Sequence, residues 1–233
     1  MSSQSNQPSN QRRRPSRFPR TLCAALALLL AVPLLSSTAA AQAKASAEKG
    51  ATNEAGTTPK QIVERTVDKA LAVLRDPNYS GADKRQARFE KVRDIVSEVF
   101  NWEDMAQRSL GVHWRSIDDA QRKRYVDLFK ELLADRYMED INRFRGHEKV
   151  IVHDMHKEGD SFRVDTTVIT TSREEVPISY FLHAEGDTYK IHDFAVEGVS
   201  LVNHYRKSFS RFLVNRDFSE LIKKLESKAS RSR

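Results

Sequence analysis

Cysteine is nearly missing from this chain. Cys23 is the only one, so no internal disulfide framework can hold the fold. Eight glycines in 233 residues leave no glycine-rich loop of the kind whose backbone cradles phosphate, and neither a G-x-S-x-G elbow nor an H-E-x-x-H helix occurs. Long apolar runs are missing too. The stretch Leu22–Leu35 has 14 residues and would reach only about 21 Å as a helix, against roughly 30 Å of bilayer hydrocarbon. Acidic side chains are absent from residues 1–43, which carry Arg12, Arg13, Arg14, Arg17 and Arg20. The formal charge of +7 is therefore concentrated at one end. Taking those five arginines from the 39 basic residues leaves 34 against 32 acidic ones, a net of only +2. That balance gives no electrostatic footprint for nucleic acid.

What the first residues do contain is an address. A basic segment, the short apolar run with Pro33 inside it, and Ala41-Gln42-Ala43 form the three parts of a cleavable secretory signal over residues 1–43. Its removal would take away Cys23 and leave a thiol-free chain, suited to an oxidising compartment such as the bacterial periplasm. Residues 44–58 are Ala, Ser, Thr, Gly, Glu and Lys with one Asn, without apolar period, as expected of a flexible linker. One domain is expected over residues 59–228, followed by a basic tail at 229–233.

Within that domain the apolar period is first helical. Ile62, Val63, Val67, Ala70, Leu71 and Leu74 recur at three and four behind Pro59, and Asp76-Pro77 ends the run. Phe89, Val92, Ile95, Val96, Val99 and Phe100 make a second run. A short helix around Met105 and Leu110 stops at Gly111, and Asp118 opens a long one through Tyr125, Phe129, Leu133 and Tyr137. The period then becomes two over 149–156, 161–171, 175–184 and 187–196, with Glu158-Gly159-Asp160 and Glu185-Gly186-Asp187 as turns. After Gly198 helices return through Val202, Phe209, Leu221 and Leu225. The order predicts an α+β fold: N-terminal and C-terminal helices packed on a curved four-stranded antiparallel sheet, an arrangement that can enclose an apolar pocket.

Candidates for chemistry are few. His153 and His156, with His147 and Asp154 nearby, come nearest to a metal cluster, but on a regular strand 153 and 156 point to opposite faces, so no metal site is expected. His192-Asp193 could supply a base to an apolar substrate, although a solvent-facing pair is the simpler expectation. The aromatics, including Phe100, Trp102, Trp114, Phe162, Phe194 and Phe209, fall mostly on apolar faces. Pattern cannot separate a core they fill from one they surround.

Two segments carry a resemblance. The stretch from Phe100 through Trp102, Leu110-Gly111 and Trp114-Arg115, continued by Gln121-Arg122, Phe129, Leu132-Leu133 and Tyr137, resembles one signature of the MlaC, or toluene-tolerance, family. So does Glu197-Gly198-Val199-Ser200-Leu201, followed by Tyr205, Arg206, Phe209 and an amphipathic helix. The similarity runs from about Pro59 to Leu225. Asn215-Arg216-Asp217 and Phe100-Asn101-Trp102 depart from the family's usual glycine turn and proline-containing segment. The resemblance implies a non-enzymatic periplasmic carrier with no cofactor and with phospholipid as cargo. Its implied partners are an inner-membrane ABC transporter complex with a membrane-anchored ring-forming lipid-binding protein, and an outer-membrane lipoprotein complex. Other readings of the residues are a carrier of hopanoid or another polycyclic lipid, an α+β-cone enzyme acting on an apolar substrate, and an assembly factor with a solid core. Face logic nominates Val99, Leu110, Trp114, Phe129, Leu133 and Tyr137 from the helices as lipid-binding residues, and Val164, Val168, Ile178, Tyr180, Leu182, Ile191 and Val199 from the sheet side. Arg115 and Arg206 are head-group or partner candidates.

Overall fold

The computed structural model describes residues 56–144 and 146–229. The expected signal, residues 44–55 of the expected linker and residues 230–233 of the tail lie outside the described residues. Helix α1 (Pro59–Arg75) begins where the sequence marks it: Thr58 and Gln61 form a reciprocal capping box, and Pro59 occupies the first turn, where no amide partner is lost. It buries Ile62, Val63, Val67, Ala70, Leu71 and Leu74. Helix α2 (Arg85–Ser97) is thinner in anchorage, with only Arg88, Phe89 and Val92 buried and no side-chain cap at its start. Val99 and Phe100 belong to the link after α2, not to its apolar run. The link flanks Ile191, whose O accepts from Asn101 N and whose N donates to Val99 O. Helix α3 (Trp102–Leu110) is capped by Asn101, passes through a 3₁₀ turn at Gly111–Ser116, and leads to α4 (Asp119–Arg143), which Asp118 and Gln121 cap with a second box.

The sheet is a meander of five antiparallel strands in chain order: β1 (Lys149–Glu158), β2 (Ser161–Ile169), β3 (Glu175–Glu185), β4 (Thr188–Val196) and β5 (Val199–Ser200). Four were expected. The fifth is two residues long, too short for a period-two pattern to register. It forms because Glu197 and Gly198 both take positive φ, 50° and 77°, the conformation a two-residue type I′ hairpin loop demands. That turn brings Ser200 back to β4, where its hydroxyl donates to Asp193 while accepting from the Asn203 amide. Asp193 also accepts from the Val202 amide. Ser200 and Asp193 together cap helix α5 (Leu201–Leu213). Helix α6 (Phe218–Ala229) closes the described chain.

Alternation along β2 and β3 is strict, burying Phe162, Val164, Thr166 and Val168, and Val176, Ile178, Tyr180 and Leu182. Two bulges interrupt it elsewhere. Between Val152 and Met155 strand β1 carries one residue more than β2, and β4 carries His192 as an extra residue opposite Phe181 and Leu182. A bulge reverses which residues face inward beyond it and bends the strand. Thus Tyr189 and Ile191 face in on one side of His192, and Phe194 on the other. Helix α1 lies over β1 and β2, α3 and α5 lie beside β4, and α2 and α6 pack against α4.

Candidate apolar binding cavity

The interior has a solid end and a hollow end, and α4 spans both. Its first half belongs to the solid end: Tyr125 and Phe129 stack at 5.9 Å and meet Phe209 edge-on, with Phe218 against Tyr125 and Tyr205 against Phe129. The one polar intrusion is satisfied. Ser109 Oγ donates to Ala106 O, so Tyr125 Oη donates to Ser109 at 2.7 Å. Burial pushes the Tyr125 hydroxyl pKa well up, so it stays a neutral donor.

The second half of α4 faces a cavity closed by α2 and the inner face of β3 and β4. Phe89, Val92 and Val96 line it from α2, Leu133, Ala134, Tyr137 and Ile141 from α4, and Ile178, Tyr180, Phe194 and Val196 from the sheet. Phe100 and Trp102, stacked at 5.3 Å, form its end wall. Tyr180 is pushed up to about 12 by burial and remains uncharged. The charged side chains on the wall are Arg93 and Lys130, and Lys130 Nζ lies 5.6 Å from the Trp102 ring centre. Among the described residues, no His, Asp or Glu lines it. The cavity offers about 70 Å³, room at roughly 10–15 Å³ per water for about five waters, or as many methylenes. A smaller void of about 20 Å³ lies beneath α1 and shares Val96, Phe100 and Tyr180 with the first. Those three side chains are the partition between the two. A roomier hollow of about 300 Å³ between α4, α5 and α6 has a mixed wall, with Leu132, Phe209, Phe212, Leu221 and Leu225 beside Arg211, Arg216, Lys224 and Lys228.

The nominated residues separate accordingly. Leu133, Tyr137, Ile178 and Tyr180 line the main cavity, and Ile191 lines the small void with Tyr180. Leu110, Trp114, Phe129, Val164, Val168 and Leu182 are buried in the packed core, lining neither cavity. Val99 packs against the core from the link after α2 and lines neither. Val199 is 61% exposed, because it follows the tight Glu197-Gly198 turn on the edge of the sheet and cannot serve as lining. Arg206 rests against Gly111, and Arg115 is exposed; neither reaches the cavity. Phe89, Val92, Val96, Phe100, Trp102, Ile141, Phe194 and Val196 line the main cavity without having been nominated, and Arg93, Lys130 and Ala134 were not anticipated either. Arg93 and Lys130 sit at positions where a helical pattern shows only polar residues, and an alanine on a long amphipathic helix carries no signal of the space beside it.

His192 is buried, 7% exposed, against the expectation of a solvent-facing pair, since the bulge turns it in beneath α3. Asp193 is occupied as the α5 cap, its pKa raised by burial and held back by the hydrogen bonds from Ser200, Val202 and Phe194. Neither lines the cavity, and neither is placed as a base for a substrate held there. The expectation for His153 and His156 also changes. The β1 bulge brings both to the outer face, His153 Nε2 at 2.8 Å from Thr167 Oγ1 and His156 Nε2 at 3.9 Å from Asp165 Oδ2.

The model of the MlaC protein family matches residues 64–227. The chain belongs to the MlaC family. It is 22% identical over 189 residues to the intermembrane phospholipid transport system binding protein MlaC of Haemophilus influenzae, covering 76% of this chain and 84% of that one. Its fold is similar to the solved structure of a phospholipid-binding protein from Ralstonia solanacearum in complex with a phospholipid. The TM-score is 0.65 at 22% identity, over 74% of this chain and 97% of that chain. This MlaC-family chain is thus an α+β protein of the kind its order of elements predicts.

Proposed function

We propose that this chain is a periplasmic carrier that moves a phospholipid between membranes, its acyl chains held between α2, α4 and the sheet and its phosphate near Arg93 and Lys130. The observation that carries the reading is the apolar cavity with two cations on its wall, in a member of the MlaC family. The physical need is large. At about 0.8 kcal/mol per exposed methylene, two chains of roughly sixteen carbons cost on the order of 25 kcal/mol in water. A carrier has only to match the bilayer's solvent quality, which an apolar wall does without any reacting group.

The cavity as it stands accommodates about a third of one such chain. Loading therefore displaces a wall, and α2 is the wall with the fewest buried side chains, packing on α1 and α4. Phe100 turning aside would join the main cavity to the void under α1. Residues 1–43 export the chain, residues 59–228 form the lipid-binding domain, and partners at the two membranes are an outer-membrane lipoprotein complex and an inner-membrane ABC transporter with a ring-forming anchored protein. The test is native mass spectrometry of the chain purified from a bacterial periplasm. One diacyl phospholipid per protein is expected. A polycyclic lipid mass in its place would redirect the assignment, and no bound amphiphile at all would end it.

A further inference from the structure

Away from the cavity, at the edge where α3 meets β4, three metal-ligating side chains converge from three elements: Asp104 of α3, His183 of β3 and His192 at the β4 bulge. One donor atom from each lies within 4.8 Å of the others. The surrounding contacts leave acceptor atoms facing the gap. Arg108 Nε holds Asp104 Oδ1 at 2.8 Å, while Oδ2 is buried without a hydrogen-bond partner and stands 3.8 Å from His183 Nδ1. His192 Nε2 lies 3.3 Å from Ser161 Oγ, and its Nδ1 is buried with no partner. Assigning the His192 proton to Nε2, where the hydroxyl can accept it, leaves a lone pair on Nδ1. The two imidazoles stack at 4.8 Å, 15° from parallel.

Buried acceptors without donors are costly, on the order of 1–3 kcal/mol each. A divalent cation relieves all of them at once. Second-contact partners of the kind that fix ligand orientation in metal sites are already present, Arg108 on the carboxylate and Ser161 on the imidazole. Two imidazoles and one carboxylate suit a borderline ion such as Zn²⁺ better than Mg²⁺ or Ca²⁺, which take oxygen. Metal–ligand distances near 2.0–2.2 Å require tetrahedral donors about 3.4 Å apart, so the donors close in from within 4.8 Å and one of the two stacked rings turns so that both lone pairs meet at one ion. We propose that Asp104, His183 and His192 form a Zn²⁺-class site with one open position, pinning the start of α3 to strands β3 and β4. The proposal stands independently of the carrier reading.

The experiment is calorimetric titration of the untagged mature chain, stripped with chelator and dialysed, against ZnCl₂ at neutral pH, with melting followed in parallel. One site per chain of micromolar affinity or better is expected, with a rise in Tm on addition of metal. Asp104→Asn, His183→Ala and His192→Ala should each weaken binding at least tenfold. His192→Ala opens a buried space and can unfold the chain; His183→Ala and Asp104→Asn, at half-buried positions, keep the test decisive, with circular dichroism verifying their fold. His153→Ala should leave binding unchanged. Absence of binding overturns the proposal. So does binding that survives His183→Ala and Asp104→Asn in folded protein, or that disappears with His153→Ala.

Discussion

Filling the cavity from a residue that cannot swing away tests whether it is where lipid sits. Val92 is fully buried on α2 and lines the main cavity, so in Val92→Phe about four added carbons have nowhere to go but inward. At about 0.8 kcal/mol per buried methylene the gain is at most ~3 kcal/mol, and about 2 kcal/mol after the ring's lost rotational freedom is subtracted. For a domain of this size that raises Tm of delipidated protein by about 4–8 °C. An acyl chain must then displace the ring, so affinity falls by the same amount, roughly 30-fold. Val164 is equally buried but lines neither cavity, so Val164→Phe makes the control. There the same carbons overfill a packed core and cost about 1–3 kcal/mol, lowering Tm by about 2–12 °C. Thermal melts of stripped protein and native mass spectra of protein isolated from a periplasm read both effects. If Val92→Phe lowers Tm as Val164→Phe does, the hollow is not a real space. If it stabilises the protein yet leaves bound lipid at the wild-type level, acyl chains lie elsewhere.

Charge reversal at the cavity wall, Arg93→Glu with Lys130→Glu, should reduce extraction of anionic phospholipid from vesicles several-fold while melting stays within about 1 kcal/mol of wild type, as for solvent-reachable charges; unchanged extraction would exclude these cations as phosphate contacts. Ser200→Ala removes the α5 cap and should cost about 1 kcal/mol, lowering Tm by roughly 2–4 °C without loss of lipid. Tyr125→Phe leaves Ser109 with its Ala106 bond and should cost about 0.5–1.5 kcal/mol by denaturant melt, since it removes the Tyr–Ser hydrogen bond. Gly198→Val places a β-branched residue at φ 77° and should destabilise by at least 1 kcal/mol; a neutral result would mean the turn rearranges without strain.

Two helix starts were legible because they are written locally. Pro59 and Asp118 mark them in the sequence, and the structure opens each helix there with a capping box, Thr58 with Gln61 and Asp118 with Gln121. The Glu197-Gly198 pair likewise explains one of the family-like motifs: it is a turn and a cap rather than a lipid contact. Alternation placed Val164 and Tyr180 on one face of the sheet, and both are there. Yet one is core and the other lines a cavity, a distinction set by what packs opposite, which period alone cannot carry. The bulges at 153–154 and at His192 were illegible for a related reason. An inserted residue shifts parity without changing composition, so the outer-face pairing of His153 with His156 and the burial of His192 both escaped pattern. The Asp104, His183 and His192 convergence joins positions 79 and 88 residues apart from Asp104, a separation no spacing rule covers.

Helix α4 has one end set among interlocked rings and the other beside empty space. A rod held that way behaves as a cantilever. When a guest displaces α2, the far end of α4 can follow while its root stays fast, so a swap of cargo does not put the whole architecture at risk. Amide protons should report this as a gradient along a single helix, slow to exchange near Tyr125 and faster toward Ile141 when the protein is empty, and evening out once it is full.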